Sequence, residues 1–303
     1  MKDSPFFKQA ALLLEVLPFI AKHEVFALKG GMAINFFVRD LPRFSVDIDL
    51  TYVPITDRQA ALVDITRRLK QIKQDLEKLS TSVVPKSLGD TDYWKGLVVT
   101  RPDTTIKIEP NLIIRGTVFP PEQRDLCPRV EDAFECAVDM LCLSQADLFG
   151  GKICAALDRQ HPRDLYDVRL LLQEEGFSDD IRKAFVVYLI SHSRPMVELL
   201  DPRRQDLQRL YDQEFVGMPL RPVPLEELLV TREELVDLIR NQLTSEEKRF
   251  LLSVKEGEPD WDLLGINGIA DLPAVQWKLL NIRRMNPLDH RRAVSKLQAY
   301  LGL

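Results

Sequence analysis

Apolar residues along this chain recur with two different periods, and the switches between them mark the elements. Phe7, Ala10, Leu13, Leu14 and Leu17 share one face at helical spacing, which predicts a helix over residues 5–22 with Pro5 in its first turn. A short apolar strand, Val25-Phe26-Ala27-Leu28, leads into Gly30-Gly31 and a helical run. The strand after it alternates: Val46, Ile48 and Leu50 face a core, and Asp47 and Asp49 both face the other way.

Farther on, Ala61, Ile65, Leu69, Ile72 and Leu76 predict a long helix from Asp57 to Leu79 with a polar outer face. Three β-branched stretches follow at 81–84, 95–100 and 104–109, the last two turned by Pro102-Asp103. Ser144-Gln145-Ala146-Asp147 starts a helix that runs through Lys152 to Arg159, and Pro162 opens the next one. From Phe177 onward the pattern is helical almost throughout, over 182–191, 202–215, 225–242, 246–255, 273–282 and 287–301. The Pro-rich run GMPLRPVP at 217–224 interrupts it and reads as an internal linker. The expected class is α+β: residues 1–143 form a mixed sheet flanked by helices, and residues 144–303 form a mostly helical domain.

Composition narrows the function without naming it. A chain of 303 residues, 45% hydrophobic and 29% charged, has room for a substantial core. Its net charge of -5 excludes a protein that is basic all over. Any nucleic acid would have to meet local patches such as Arg203-Arg204, or Arg283, Arg284, Arg291, Arg292 and Lys296; the plainer reading of these is a solvated helix face. Cys127, Cys136, Cys142 and Cys154 include no Cys-x-x-Cys pair and have no His at ligand spacing, which argues against zinc and for reduced thiols. No apolar run reaches membrane-spanning length and the start of the chain lacks a small-residue cleavage site, so no membrane is expected and the expected location is the cytoplasm.

The chemistry centres on residues 28–50. Two carboxylates side by side on a strand repel unless a cation takes up their charge, and oxygen donors at this density suit Mg²⁺ better than Zn²⁺. Mg²⁺ keeps phosphate oxygens in its shell, so the pair implies a phosphate-bearing substrate. Gly30 and Gly31 let the backbone approach a ligand closely at a helix start. The alternative is a solvated acidic strand edge beside an ordinary glycine turn.

A glycine turn at a helix start followed by Asp-apolar-Asp resembles the polymerase-β-like nucleotidyltransferases. The fuller string Lys29-Gly30-Gly31, Ala33, Arg43-Phe44-Ser45 and Asp47-Ile48-Asp49-Leu50 more narrowly resembles the AbiEii/AbiGii abortive-infection toxin family. GGKICAALDRQHPRDLYDV at 150–168 and the tail at 257–286 resemble the same family, so the likeness covers most of the chain.

The resemblance implies a nucleotidyltransferase domain whose active site also draws on the first helices of the C-terminal domain. Asp47 and Asp49 would hold Mg²⁺ or Mn²⁺, with Glu109 as the third carboxylate or as the base that takes the acceptor's proton; a plain Lys107–Glu109 surface pair is its rival. Gly30, Gly31, Arg43, Ser45, Lys152 and Asp164 would contact the NTP, and Asp167 would orient Lys152 or touch the nucleotide. For Lys152 the bland alternative is a solvated helical lysine. His161 reads as a turn residue.

The implied reaction transfers a nucleoside monophosphate from NTP, the co-substrate, to an acceptor hydroxyl with release of pyrophosphate. The implied setting is a type IV-like toxin–antitoxin or phage-defence pair, with the tRNA 3′ end as acceptor and a neighbouring antitoxin that need not touch the toxin. Where many nucleotidyltransferases place Ser after the first glycine, this chain has Gly31, and its gap to Asp47 is longer than usual. Two rivals stay open: a small-molecule or protein side-chain acceptor, and an NTP-binding or interaction protein without turnover.

Overall fold

The structure, a computed structural model, describes residues 4–79 and 81–303. The chain divides into two compact units, Met1–Ser144 with Glu214–Pro222, and Gln145–Gln213 with Val223–Leu303.

The first unit runs α1 (Pro5–Ala21), β1 (Phe26–Lys29), α2 (Gly30–Met32), a π-helical turn (Ala33–Val38), β2 (Asp47–Tyr52), α3 (Arg58–Leu76), β3 (Ser82–Ser87), β4 (Trp94–Arg101), β5 (Thr104–Asn111), β6 (Glu122–Asp125), α4 (Pro128–Phe134) and β7 (Asp139–Cys142). Its seven strands form one sheet in the order β3-β4-β5-β2-β1-β7-β6. The sheet is mixed: β2 lies parallel to β5 and β1 parallel to β7, and the remaining pairs are antiparallel.

The two periodicities explain the layers. Helix α1 buries Ala10, Leu13, Leu17 and Ile20, and α3 buries Ile65, Leu69, Ile72 and Leu76. The two helices pack on each other and on the sheet, where Ile48, Leu50, Leu97, Val99, Ile106 and Ile108 are buried. Each such aliphatic side chain contributes about 1.5–3 kcal/mol on leaving water. Helix α3 starts where Asp57 accepts from the backbone N–H groups of Gln59 and Ala60 at 2.9 and 3.0 Å.

The α+β class and mixed sheet are as expected, but three elements were not. Strand β6 is Glu-Gln-Arg-Asp, too polar to show alternation; it is an edge strand held by its ladder to β7. Helix α4 and β7 are short and carry little periodicity of their own. Strand β5 also runs through Pro110, which lies past Ile108, the last residue that β4 pairs with. There, the missing N–H of proline costs no ladder bond on that side.

The stretch at 217–224 is not a free linker. The Phe44 N–H donates to the Met218 carbonyl at 3.1 Å, the Leu220 N–H donates to the Pro42 carbonyl at 3.0 Å, and Arg43 bridges Pro219. Its prolines suit an added edge segment beside residues 42–44.

The second unit comprises α5 (Gln145–Arg159), α6 (Pro162–Glu174), α7 (Asp179–Ser191), α8 (Met196–Leu200), α9 (Gln208–Glu214), α10 (Leu225–Gln242), α11 (Ser245–Glu256), α12 (Pro273–Arg283) and α13 (Pro287–Leu301). Helices α5 and α7 approach closely at Gly150, where a β-carbon would come within 2.7 Å of the Phe185 nitrogen. The helix expected over 202–215 begins only at Gln208. Ahead of it the Gln160 side chain takes the backbone groups a helix would use, donating to the Arg203 carbonyl at 2.8 Å and accepting from the Gln205 N–H at 3.1 Å. Among the described residues, no helix is long and apolar enough to cross a membrane.

Candidate active site

The sheet itself sets the positions of the carboxylates. Asp47 and Asp49 occupy alternate positions of β2, half-buried, while Ile48 and Leu50 point into the core. The register puts Asp49 beside Glu109 of β5 on one side and Lys29 of β1 on the other, and Asp47 beside Lys107. Paired residues of a ladder share a face. One face therefore carries Asp47, Asp49 and Glu109, flanked by Lys29 and Lys107, whose charges offset part of the repulsion.

Gly30 closes this group from the β1 side. Its φ is +72°, and a β-carbon there would lie 2.7 Å from Oδ2 of Asp49, so glycine is required twice, by the backbone and by the space. Gly31 has a different duty. A β-carbon on it would lie 2.7 Å from an Nη atom of Arg43, whose guanidinium is buried against this turn. Arg43 Nη1 donates to the Phe44 carbonyl at 2.8 Å and contacts Met218 Sδ at 3.7 Å. Ser45 is buried two residues before Asp47. Buried Asn35 donates to the Gly31 carbonyl at 2.8 Å, tying the π-helical turn to the glycines; π-turns recur at functional sites.

Glu109 accepts from Lys86 Nζ at 2.8 Å. Its partner is thus Lys86 of β3 and not the neighbouring Lys107. No spacing along the chain points to Lys86, because the pairing depends on the β3–β4–β5 order. Among the described residues, no three His, Cys, Asp or Glu side chains converge to hold a metal ion. The Asp47–Asp49 pair offers hard oxygens of the kind that suits Mg²⁺, an ion that completes its shell with water and phosphate oxygens.

The other predicted residues form a cluster in the second unit. Lys152 of α5 is 6% exposed and lies 2.9 Å from Asp164 Oδ1 and 2.9 Å from Asp167 Oδ2, both on α6. Arg159 adds bonds to Asp164 at 2.5 and 3.0 Å. Lys152 is therefore not a solvated helical lysine, and Asp167 holds it directly. Burial alone would raise the Asp164 carboxyl; Lys152 and Arg159 more than reverse this and hold it well below the usual carboxylate range. The helix corner makes the cluster possible. His161 caps α6, accepting from the Arg163 N–H at 3.1 Å, and Pro162 begins it, so Asp164 and Asp167 enter on one face.

Comparison with known proteins bears on the fold and the family. A comparison with curated proteins gave no match. Among solved structures, MenT4, a nucleotidyltransferase toxin from Mycobacterium tuberculosis H37Rv, is similar to this chain with a TM-score of 0.61 at 14% identity, over 97% of this chain and 93% of that one. That likeness shows a shared fold. The family model described as "Nucleotidyl transferase AbiEii toxin, Type IV TA system" matches residues 11–281. A match over that span, with Gly30, Asp47, Asp49, Lys152 and Asp167 inside it, means that the chain belongs to the AbiEii nucleotidyltransferase toxins of type IV toxin–antitoxin systems.

Proposed function

We propose that this toxin transfers a nucleoside monophosphate from an NTP to a hydroxyl at the 3′ end of tRNA, in a reaction that needs Mg²⁺ or Mn²⁺. The observation that carries this reading is the Asp47–Asp49 pair on one face of β2, with the Asp49 carboxylate against the Cβ-free Gly30. Bound between Asp47 and Asp49, the cation would neutralise phosphate charge and align the triphosphate.

The remaining roles fall to the chain's own groups. The backbone at Gly30 and Gly31, with Arg43 and Ser45 beside it, holds the phosphates. Glu109 takes the acceptor's proton as the hydroxyl oxygen bonds to the α-phosphorus and pyrophosphate leaves. The Lys152 ammonium has three donors, of which two are directed at Asp164 and Asp167. The third is left for a phosphate oxygen, and the two aspartates fix its direction. An antitoxin encoded nearby is the expected partner, with no direct contact required, and the site of action is the cytoplasm.

The test is incubation of the purified protein with each of the four labelled NTPs, Mg²⁺ and total tRNA, with Asp49→Ala in parallel. Label on tRNA that needs both Mg²⁺ and Asp49 supports the reading. Label on protein or on a small molecule overturns the tRNA assignment, and equal labelling by Asp49→Ala overturns the site.

A further inference from the structure

Residues 273–303 hold six lysines and arginines against one aspartate, in a chain whose net charge is -5. Lys278 is the only one of the six turned inward. Its ammonium donates to the carbonyls of His192 and Arg194 at 2.7 and 2.6 Å. Arg283, Arg284, Arg291, Arg292 and Lys296 are all exposed, at the end of α12 and along α13.

Helix α3 shows the usual arrangement, in which cations on a helix surface are paired with carboxylates one turn away. On α3, Arg67 and Arg68 pair with Asp64, Lys73 with Glu77, and Lys78 with Asp75. At the α12–α13 corner, Arg284, Arg291 and Lys296 make no side-chain hydrogen bond or ion pair with the described residues. Arg292 reaches Asp289 only at 3.9 Å, with both side chains largely exposed, and Arg283 meets only the Gly257 carbonyl at 3.4 Å. The dipole of α12 favours cations at its C-terminus, but it gives no support to Arg291, Arg292 and Lys296 on the next helix. Uncompensated like charges repel, so this corner is built for an anion with many charges.

An aromatic side chain stands beside the cations. Trp277 is 56% exposed and Leu280 37% exposed, on the outward face of α12 and in line with Arg284 by helical spacing. Helix α12 already buries Ala274, Val275, Leu279 and Ile282 on its opposite face, so its core contacts do not use Trp277. A cationic track next to an exposed indole matches single-stranded nucleic acid, whose phosphates take the charges while a base stacks on the ring. An anionic bilayer would call for a broader apolar face than Trp277, Leu280 and Leu288 provide.

We propose that the α12–α13 corner binds the sugar–phosphate backbone of an RNA through Arg284, Arg291, Arg292 and Lys296, with Trp277 stacking on an unpaired base. This rests on the reading above in which the acceptor is an RNA, and adds the surface that would grip it.

The test measures binding of total tRNA to the full chain by fluorescence anisotropy across a salt series, without NTP and without divalent cation, so that binding is read apart from transfer. The exposed triple variant Arg284→Gln, Arg291→Gln, Lys296→Gln is expected to bind at least tenfold more weakly, with the slope of log K against log salt reduced by about 2 to 3. Trp277→Ala is expected to weaken binding about tenfold and to remove tRNA-dependent quenching of tryptophan fluorescence. Unchanged affinity and slope in the triple variant overturn the proposal. So does a triple variant that keeps tRNA but loses binding to phosphatidylserine-containing vesicles, which makes the corner a lipid surface. If the corner variants lose tRNA while the wild-type protein labels no tRNA in the transfer assay, the surface stands and the assignment of the acceptor fails.

Discussion

The Asp49 carboxylate occupies the space that a β-carbon on Gly30 would need, with Oδ2 2.7 Å from that position. Gly30→Ala therefore does two things at once. It forces an L-residue into φ +72°, at a cost of about 1–2 kcal/mol, and it pushes the carboxylate aside. The expected outcome is a small drop in melting temperature with a much larger drop in transfer, about 100-fold or more, since misplacing a positioned group by an ångström costs that much. A variant that loses stability but keeps its turnover would show that Asp49 is not the positioned group.

Charge predicts a split between stability and activity at Asp47 and Asp49. Their side chains share a face of β2, with Lys29, Lys107 and the further carboxylate of Glu109 beside them. Asp47→Asn or Asp49→Asn removes repulsion, so without Mg²⁺ each variant is expected to melt at or above the wild-type temperature while nucleotidyl transfer is abolished. Calorimetry in EDTA beside the labelling assay checks both halves. A large loss of stability in EDTA would mean that the pair is structural.

Lys152 offers the opposite case, a charge that the fold cannot spare. Asp164 is 1% exposed and Asp167 fully buried, and both lie 2.9 Å from the ammonium. Lys152→Met leaves two buried carboxylates short of their cation, so it is expected to destabilise the protein by about 3–5 kcal/mol. The Asp164 carboxyl titrates below its unfolded value, so the stability it contributes is complete above about pH 4 and is lost as pH falls below that. Acid unfolding of Asp164→Asn should accordingly be less steep than that of wild type, and equal slopes would contradict the pairing.

The parts of this site that lie on one element were legible in the sequence, and those that depend on strand order were not. Alternation placed Asp47 and Asp49 together, and helical spacing placed Asp164 with Asp167, because both are local periodicities. Glu109 was assigned to the right face, but its partner Lys86 arises from two strand pairings that no spacing encodes. The sequence suggested phosphate contact for both glycines, whereas only the structure separates Gly30, against Asp49, from Gly31, under Arg43. The segment at 217–224 was misread for the same reason. Its prolines looked like a linker, yet their register is set by residues 42–44, far away in sequence. Edge strand β6 carries no apolar signal because its environment, and not its composition, makes it a strand.

Lys278 gives a prediction at alkaline pH. Its ammonium is buried at the end of α7, where it caps the carbonyls of His192 and Arg194. Desolvation, with a smaller push from Lys255, lowers its pKa to about 8. A lysine depressed in the folded state binds fewer protons there than in the unfolded chain, so its contribution to stability rises with pH from about 8 toward the unfolded value of about 10.5. Relative to Lys278→Met, the wild-type protein should gain about 1 kcal/mol between pH 7 and pH 9. Urea unfolding of both proteins at the two pH values measures the difference. A constant difference would mean that the carbonyl bonds keep the ammonium charged throughout, with the cap outweighing the burial.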